Sequence, residues 1–137
     1  MNIPPDAAEL KALWQKGHPV LPIPEDAREK LLTALGGECH WIGRLNAARL
    51  SPLFGWSDND REIVIDLLLV LRSDENRFVG PWALGALWEM VPRDDPRGET
   101  VEAWLTDALA SGSAGERARA RLLLAQEARG TLRRTSW

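Results

Sequence analysis

LLLVLRSDENRFVGPWALGALWEM, residues 67–90, is the stretch on which the fold turns. A leucine-rich run meets the polar turn Ser73-Asp74-Glu75-Asn76, and a second apolar segment with small residues at Ala83, Gly85 and Ala86 follows. Pro81 lacks a backbone donor, so it either opens this second helix or kinks one that began near Asp74. The run upstream, REIVIDLLLVLR at residues 61–72, is too uniformly apolar for periodicity to separate a helix from a buried strand. Ser57 and Asp60 match a capping box, and Asp66 interrupts the run, which favours a helix covered on most sides.

Working outward, Asp6 caps a first helix predicted from about Asp6 to Lys16, with Gly17 as its stop. HPVLPIPED, residues 18–26, carries three prolines and reads as an extended strap across the body. A second helix runs from Pro24 or Glu25 to Leu35 and ends at Gly36-Gly37; a third covers about His40 to Leu50. PRDDPRGE, residues 92–99, reads as a loop, and VEAWLTDALA, residues 101–110, as an amphipathic helix. Ser113 and Glu116 match a second capping box, and Gly130 marks the end of the last helix. The organisation is one helical domain over 1–137: an N-terminal helix to residue 17, the strap at 18–24, a helical body at 25–130 and a tail at 131–137 that frays unless Trp137 docks.

Three stretches stack upon one another: residues 31–56, residues 67–90 and residues 104–128. Leu35 to Ala47 and Leu71 to Ala83 share a spacing of 12 residues, and the first two units are offset by 36. Paired helices at such a period point to an α-solenoid. On these residues the chain resembles the HEAT-repeat family over about residues 27–129, most closely where Ser73-Asp74-Glu75 leads to Val79, Ala83, Leu84 and Leu87. It departs from the family at Gly80 and Pro81, and the first unit lacks an acidic-proline turn. The resemblance implies an all-α stack of antiparallel helix pairs that binds through one helix face. A compact helical bundle of other topology is the alternative.

The composition, with 45% hydrophobic and 27% charged residues, is that of a globular chain, and 137 residues suffice for a core that hides ~68% of the unfolded surface. The single cysteine, Cys39, fits a reducing compartment. The N-terminus lacks a basic leader with an apolar stretch, and the longest apolar run falls far short of a bilayer's ~20 residues. The expected location is therefore the cytoplasm, without membrane association. The net charge is −3, but residues 1–110 carry −7 and residues 111–137 carry +4.

Chemistry is sparse. Glu38, Cys39 and His40 are adjacent, so they point in different directions, and a zinc site wants four ligands in spaced pairs. Cys39 as nucleophile needs a base such as His18 or His40 in reach. No nucleophile elbow, phosphate-binding glycine loop or zinc-protease helix occurs. The acids Asp58, Asp60, Glu62, Asp94 and Asp95 lack the calcium-loop pattern and suit helix starts. The expectation is a protein that is not an enzyme and needs neither cofactor nor metal.

Two features point to binding. Seven tryptophans with no tyrosine supply candidate anchors, of which Trp56, Trp82 and Trp88 stand out; Trp82 and Trp88, six residues apart, do not both fit squarely into one core. Arginines cluster at the C-terminal end at 117, 119, 121, 129, 133 and 134. Arg117 and Arg121 share a helix face, and Arg119 points elsewhere. The expected contact surface is Trp56, Trp82 and Trp88 with Arg117, Arg121 and Arg129, and the expected partner is another protein, met as adaptor, inhibitor or small subunit. The alternative is a nucleic acid gripped by the basic end, recognisable by steep salt dependence.

Overall fold

The structure, a computed structural model, describes residues 3–92 and 94–130. Among these, seven α-helices form: α1 Pro5–Ala12, α2 Arg28–Leu35, α3 Trp41–Leu50, α4 Asp58–Val70, α5 Val79–Met90, α6 Arg97–Ser111 and α7 Ala114–Ala128. The two strands, β1 Trp14–Gln15 and β2 His18–Pro19, make one small antiparallel hairpin.

Helices α1, α3, α5 and α7 stand in one row, each touching the next. Helices α2 and α4 neighbour each other in a second row, which α6 extends against α5 and α7. The chain thus zigzags between two layers, and the pairs α2–α3, α4–α5 and α6–α7 are helical hairpins closed by short turns. The core between the rows is built from Leu31, Leu50, Ile65, Leu68, Leu84 and Trp104, all essentially buried.

Caps set most boundaries. Ser57 accepts from the Asp60 amide, and Ser113 with Glu116 forms a complete capping box at α7. The Asp60 side chain does not close the first box. Both its oxygens instead take the Arg28 guanidinium of α2, at 2.7 and 2.8 Å. Arg44 to Asp74 and Arg72 to Asp107 run in the same sense, and Arg97 to Glu62 runs in the opposite one. Each joins one hairpin unit to the next, so the stack is stitched by charge as well as by apolar contact.

Three expectations need correction. The first helix stops at Ala12, not Lys16, because Lys16 and Gly17 both adopt positive φ and turn the chain into the β1–β2 hairpin. Helix α4 is not covered on most sides: it lies in the outer row, and Ile63 and Val70 are exposed at 50% and 71%. Helix α5 is the central one, with nine of its twelve residues buried. It starts at Val79, preceded by two Asx turns in which Asp74 and Asn76 accept from the amides of Asn76 and Phe78. Pro81 sits in its first turn, where no intrahelical donor is required. Last, Arg97, Gly98 and Glu99, read as loop, form the first turn of α6.

Candidate functional site

A groove opens on the first row, lined by residues of α3, α5 and α7. Helix α5 supplies Trp82, α3 supplies Arg49, α7 supplies Arg119, and the hairpin brings Trp14 and Pro19 to the rim. Trp14 meets Trp82 edge to face, with ring centres 5.6 Å apart at 74°. The Arg119 guanidinium lies 3.8 Å from the Trp82 ring centre. That of Arg49 lies 4.5 Å from Trp82 and 5.4 Å from Trp14. One indole therefore carries two cations. The groove encloses about 450 Å³, with Pro52, Leu53, Leu122 and Leu123 as apolar wall. A second hollow of about 250 Å³ lies beyond Trp82, between Phe78 and Leu122.

The electrostatics of the two arginines are unusual. Burial lowers the pKa of both, and the charge of Arg49 lowers that of Arg119 further, while Glu89 acts in the opposite sense. Arg49 Nη1 reaches Asn46 Oδ1 at a marginal 3.4 Å, and its Nε is buried with no hydrogen-bond partner. Among the described residues neither arginine forms an ion pair. Two partly desolvated like charges, of which Arg119 feels the charge of Glu89 on the same wall, form an arrangement that an incoming anion relieves.

Of the residues expected to meet a partner, only Trp82 lines this groove. Trp56 is core: its indole Nε1–H donates to the Ser51 carbonyl at 2.8 Å, and its ring packs on Phe54. Trp88 is core too, at 4% exposure. The six-residue spacing does not prevent this, because α5 touches α4 and α6 as well as α3 and α7 and so is covered on several sides. Neither tryptophan is available as a surface anchor. Arg117 is committed to its own chain, donating to the Gly112 carbonyl at the end of α6 at 2.8 Å. Arg121 and Arg129 are exposed and line neither hollow. Arg133, Arg134 and Trp137 lie outside the described residues.

Sequence reasoning did not single out Arg49 or Trp14 as contact residues, and it named Arg119 in the basic cluster only to set it apart from the Arg117–Arg121 face. A signal existed for Arg119: with Leu122, Leu123 and Gln126 it follows helical spacing on one face, and Leu123 is buried. For Arg49 and Trp14 only the tertiary arrangement reveals the role.

The Glu38-Cys39-His40 cluster resolves into structure. His40 Nδ1 accepts the Ile42 amide and caps α3. The Cys39 carbonyl accepts from Arg44 at 2.6 Å, and burial, followed by the charge of Asp6, raises the pKa of its thiol, which disfavours the thiolate. Among the described residues no group of three or more His, Cys, Asp or Glu is placed to hold a metal ion. No helix among them is long and apolar enough to cross a membrane. Compared with known proteins, the chain matches no family model, no curated sequence and no solved structure.

Proposed function

We propose that the protein is a non-catalytic, cytoplasmic interaction module that engages another protein through the face formed by α3, α5 and α7. One observation carries this reading. Two arginines that find no ion pair among the described residues are held on Trp82 inside a groove whose walls are part apolar and part polar. Interfaces are enriched in such tryptophan and arginine anchors, set in hollows that exclude water. The two-row order of helix pairs supports a HEAT-like stack, whose inner row would serve as the binding face. A nucleic-acid reading has less support, because Arg117 is tied to Gly112 and the chain carries a net −3.

The test is site-specific photocrosslinking in the source cell. A crosslinker at Leu122, in the groove, is compared with one at Val70, on the opposite row. Capture of a defined protein from position 122 alone, lost when Arg49 and Arg119 are replaced, is the expected result. Capture from position 70 alone, or of nucleic acid, would refute the reading.

A further inference from the structure

We infer that the Arg49–Trp82–Arg119 groove receives a carboxylate-bearing, apolar-flanked peptide segment of the partner: an aspartate or glutamate side chain inserted between the two guanidiniums. This inference rests on the interaction reading above and names the chemistry of its partner.

Charge complementarity argues for an anion. Arg49 and Arg119 are half-buried, repel one another, and have no ion-pair partner among the described residues. Keeping two guanidiniums partly desolvated is unfavourable by itself, and one carboxylate accepting from both would offset it with charge-assisted hydrogen bonds. The Nε of Arg49 is buried with no hydrogen-bond partner among the described residues, which adds to the cost of holding that guanidinium partly desolvated. The rings beneath hold the guanidinium planes in place, so little side-chain freedom remains to be lost on binding.

The walls argue for a peptide. Trp14, Pro19, Pro52, Leu53 and Leu122 are apolar, and the volume of about 450 Å³ lies in the range of pockets that enclose a small organic ligand, about 300–1,000 Å³. A polyanion such as nucleic acid gains from many cations along a track, whereas this groove offers two. An isolated acidic side chain between apolar neighbours matches both the charge and the walls.

The experiment uses the full chain labelled with ¹⁵N. The indole Nε1–H signals of Trp14 and Trp82 are followed by NMR, assigned through W14F and W82F. The probes are the acetylated, amidated peptide Leu-Asp-Leu-Glu-Leu, its Asn/Gln counterpart, the same peptide with phosphoserine for both acids, and a short oligothymidylate. The expected result is saturable shifts of both indoles by the acidic peptide, with the neutral peptide weaker by about tenfold or more. R49Q and R119Q should each lose about tenfold, with R119K between them and wild type, and with thermal midpoints not lowered. Equal binding of the neutral peptide overturns the carboxylate and leaves the groove as an interface. Tighter binding of the phosphopeptide or of oligothymidylate overturns the stated occupant. Absence of any shift at millimolar peptide overturns the inference; if crosslinking from position 122 still captures a protein, the interaction reading survives it, and if not, both fall.

Discussion

The Arg119 guanidinium of α7 sits 3.8 Å from the centre of the Trp82 ring of α5, and Arg49 of α3 approaches the same ring to 4.5 Å. One side chain thus serves as a shared platform for two cations from helices on either side of it. The arrangement separates affinity from stability. R119M keeps an apolar cover on Trp82 while removing a desolvated charge, so its unfolding free energy should equal wild type or exceed it by up to ~1 kcal/mol. W82A removes the platform itself and should cost ~2–3 kcal/mol. Urea denaturation of both variants checks the contrast; a large loss in R119M would show that the cation contributes to the fold.

Among the ion pairs of the described residues, Arg44 and Asp74 form the most buried one, with side chains only 12% and 6% exposed. Asp74 also holds the Asn76 amide, and Arg44 the Cys39 carbonyl. Removing either partner strands a charge. R44M or D74N alone should therefore destabilise by ~3 kcal/mol, and R44M/D74N by clearly less than the sum of the two. A double-mutant cycle in urea gives the coupling directly; strict additivity would mean that the two groups do not interact.

Acid should weaken one stitch, Arg28–Asp60, and one pair local to the start of α6, Arg97–Asp95. Arg28 lowers the pKa of Asp60, chiefly through its hydrogen bonds, and Arg97 does the same to Asp95. Their folded values lie below the ordinary 3.8, so the stabilisation is present above that value and is lost as the pH falls through it towards the folded values. Thermal midpoints measured from pH 6 down to pH 2 should decline in this window, and D60N and D95N should each flatten the decline. An unchanged slope in both would remove these pairs from the account of acid sensitivity.

Gly43 lets α3 approach α1. A Cβ there would stand 2.1 Å from Cys39 Sγ and 3.3 Å from both the Cα and the Cβ of Ala7. The thiol can swing aside, but the α1 backbone must give. G43A should therefore cost ~1–3 kcal/mol, and adding C39A should recover part of it. Differential scanning calorimetry of G43A and G43A/C39A decides this; full recovery would mean that α1 accommodates the methyl freely.

Much of the helical framework was legible because its punctuation is local. Ser57, Ser113, Gly36-Gly37 and Pro81 act within one turn of their own positions, and each marks a helix end or start in the fold. The β1–β2 hairpin escaped because Lys16-Gly17 lacks the Asn-Gly or Asp-Gly that announces such a turn. The expectation that α4 is covered on most sides failed for another reason: leucine and isoleucine content measures apolarity, whereas burial follows neighbours, as in α5, which has them on several sides and small residues that admit them. The site was legible only in part. Trp82 and the terminal arginines attract notice by composition, but which arginine turns inward depends on where α7 lands against α5. Trp56 and Trp88 look like anchors from their chemistry and are core by their surroundings.

In a row of stacked helices each element feels mainly the one beside it, so local openings at the two ends are nearly independent. Arg49 on α3 and Arg119 on α7 have α5 between them, and an anion gripped by both becomes a crossbar that skips a neighbour. If the proposed anion binds, α3, α5 and α7 should open as one unit, whereas without it the two sides of α5 should open separately.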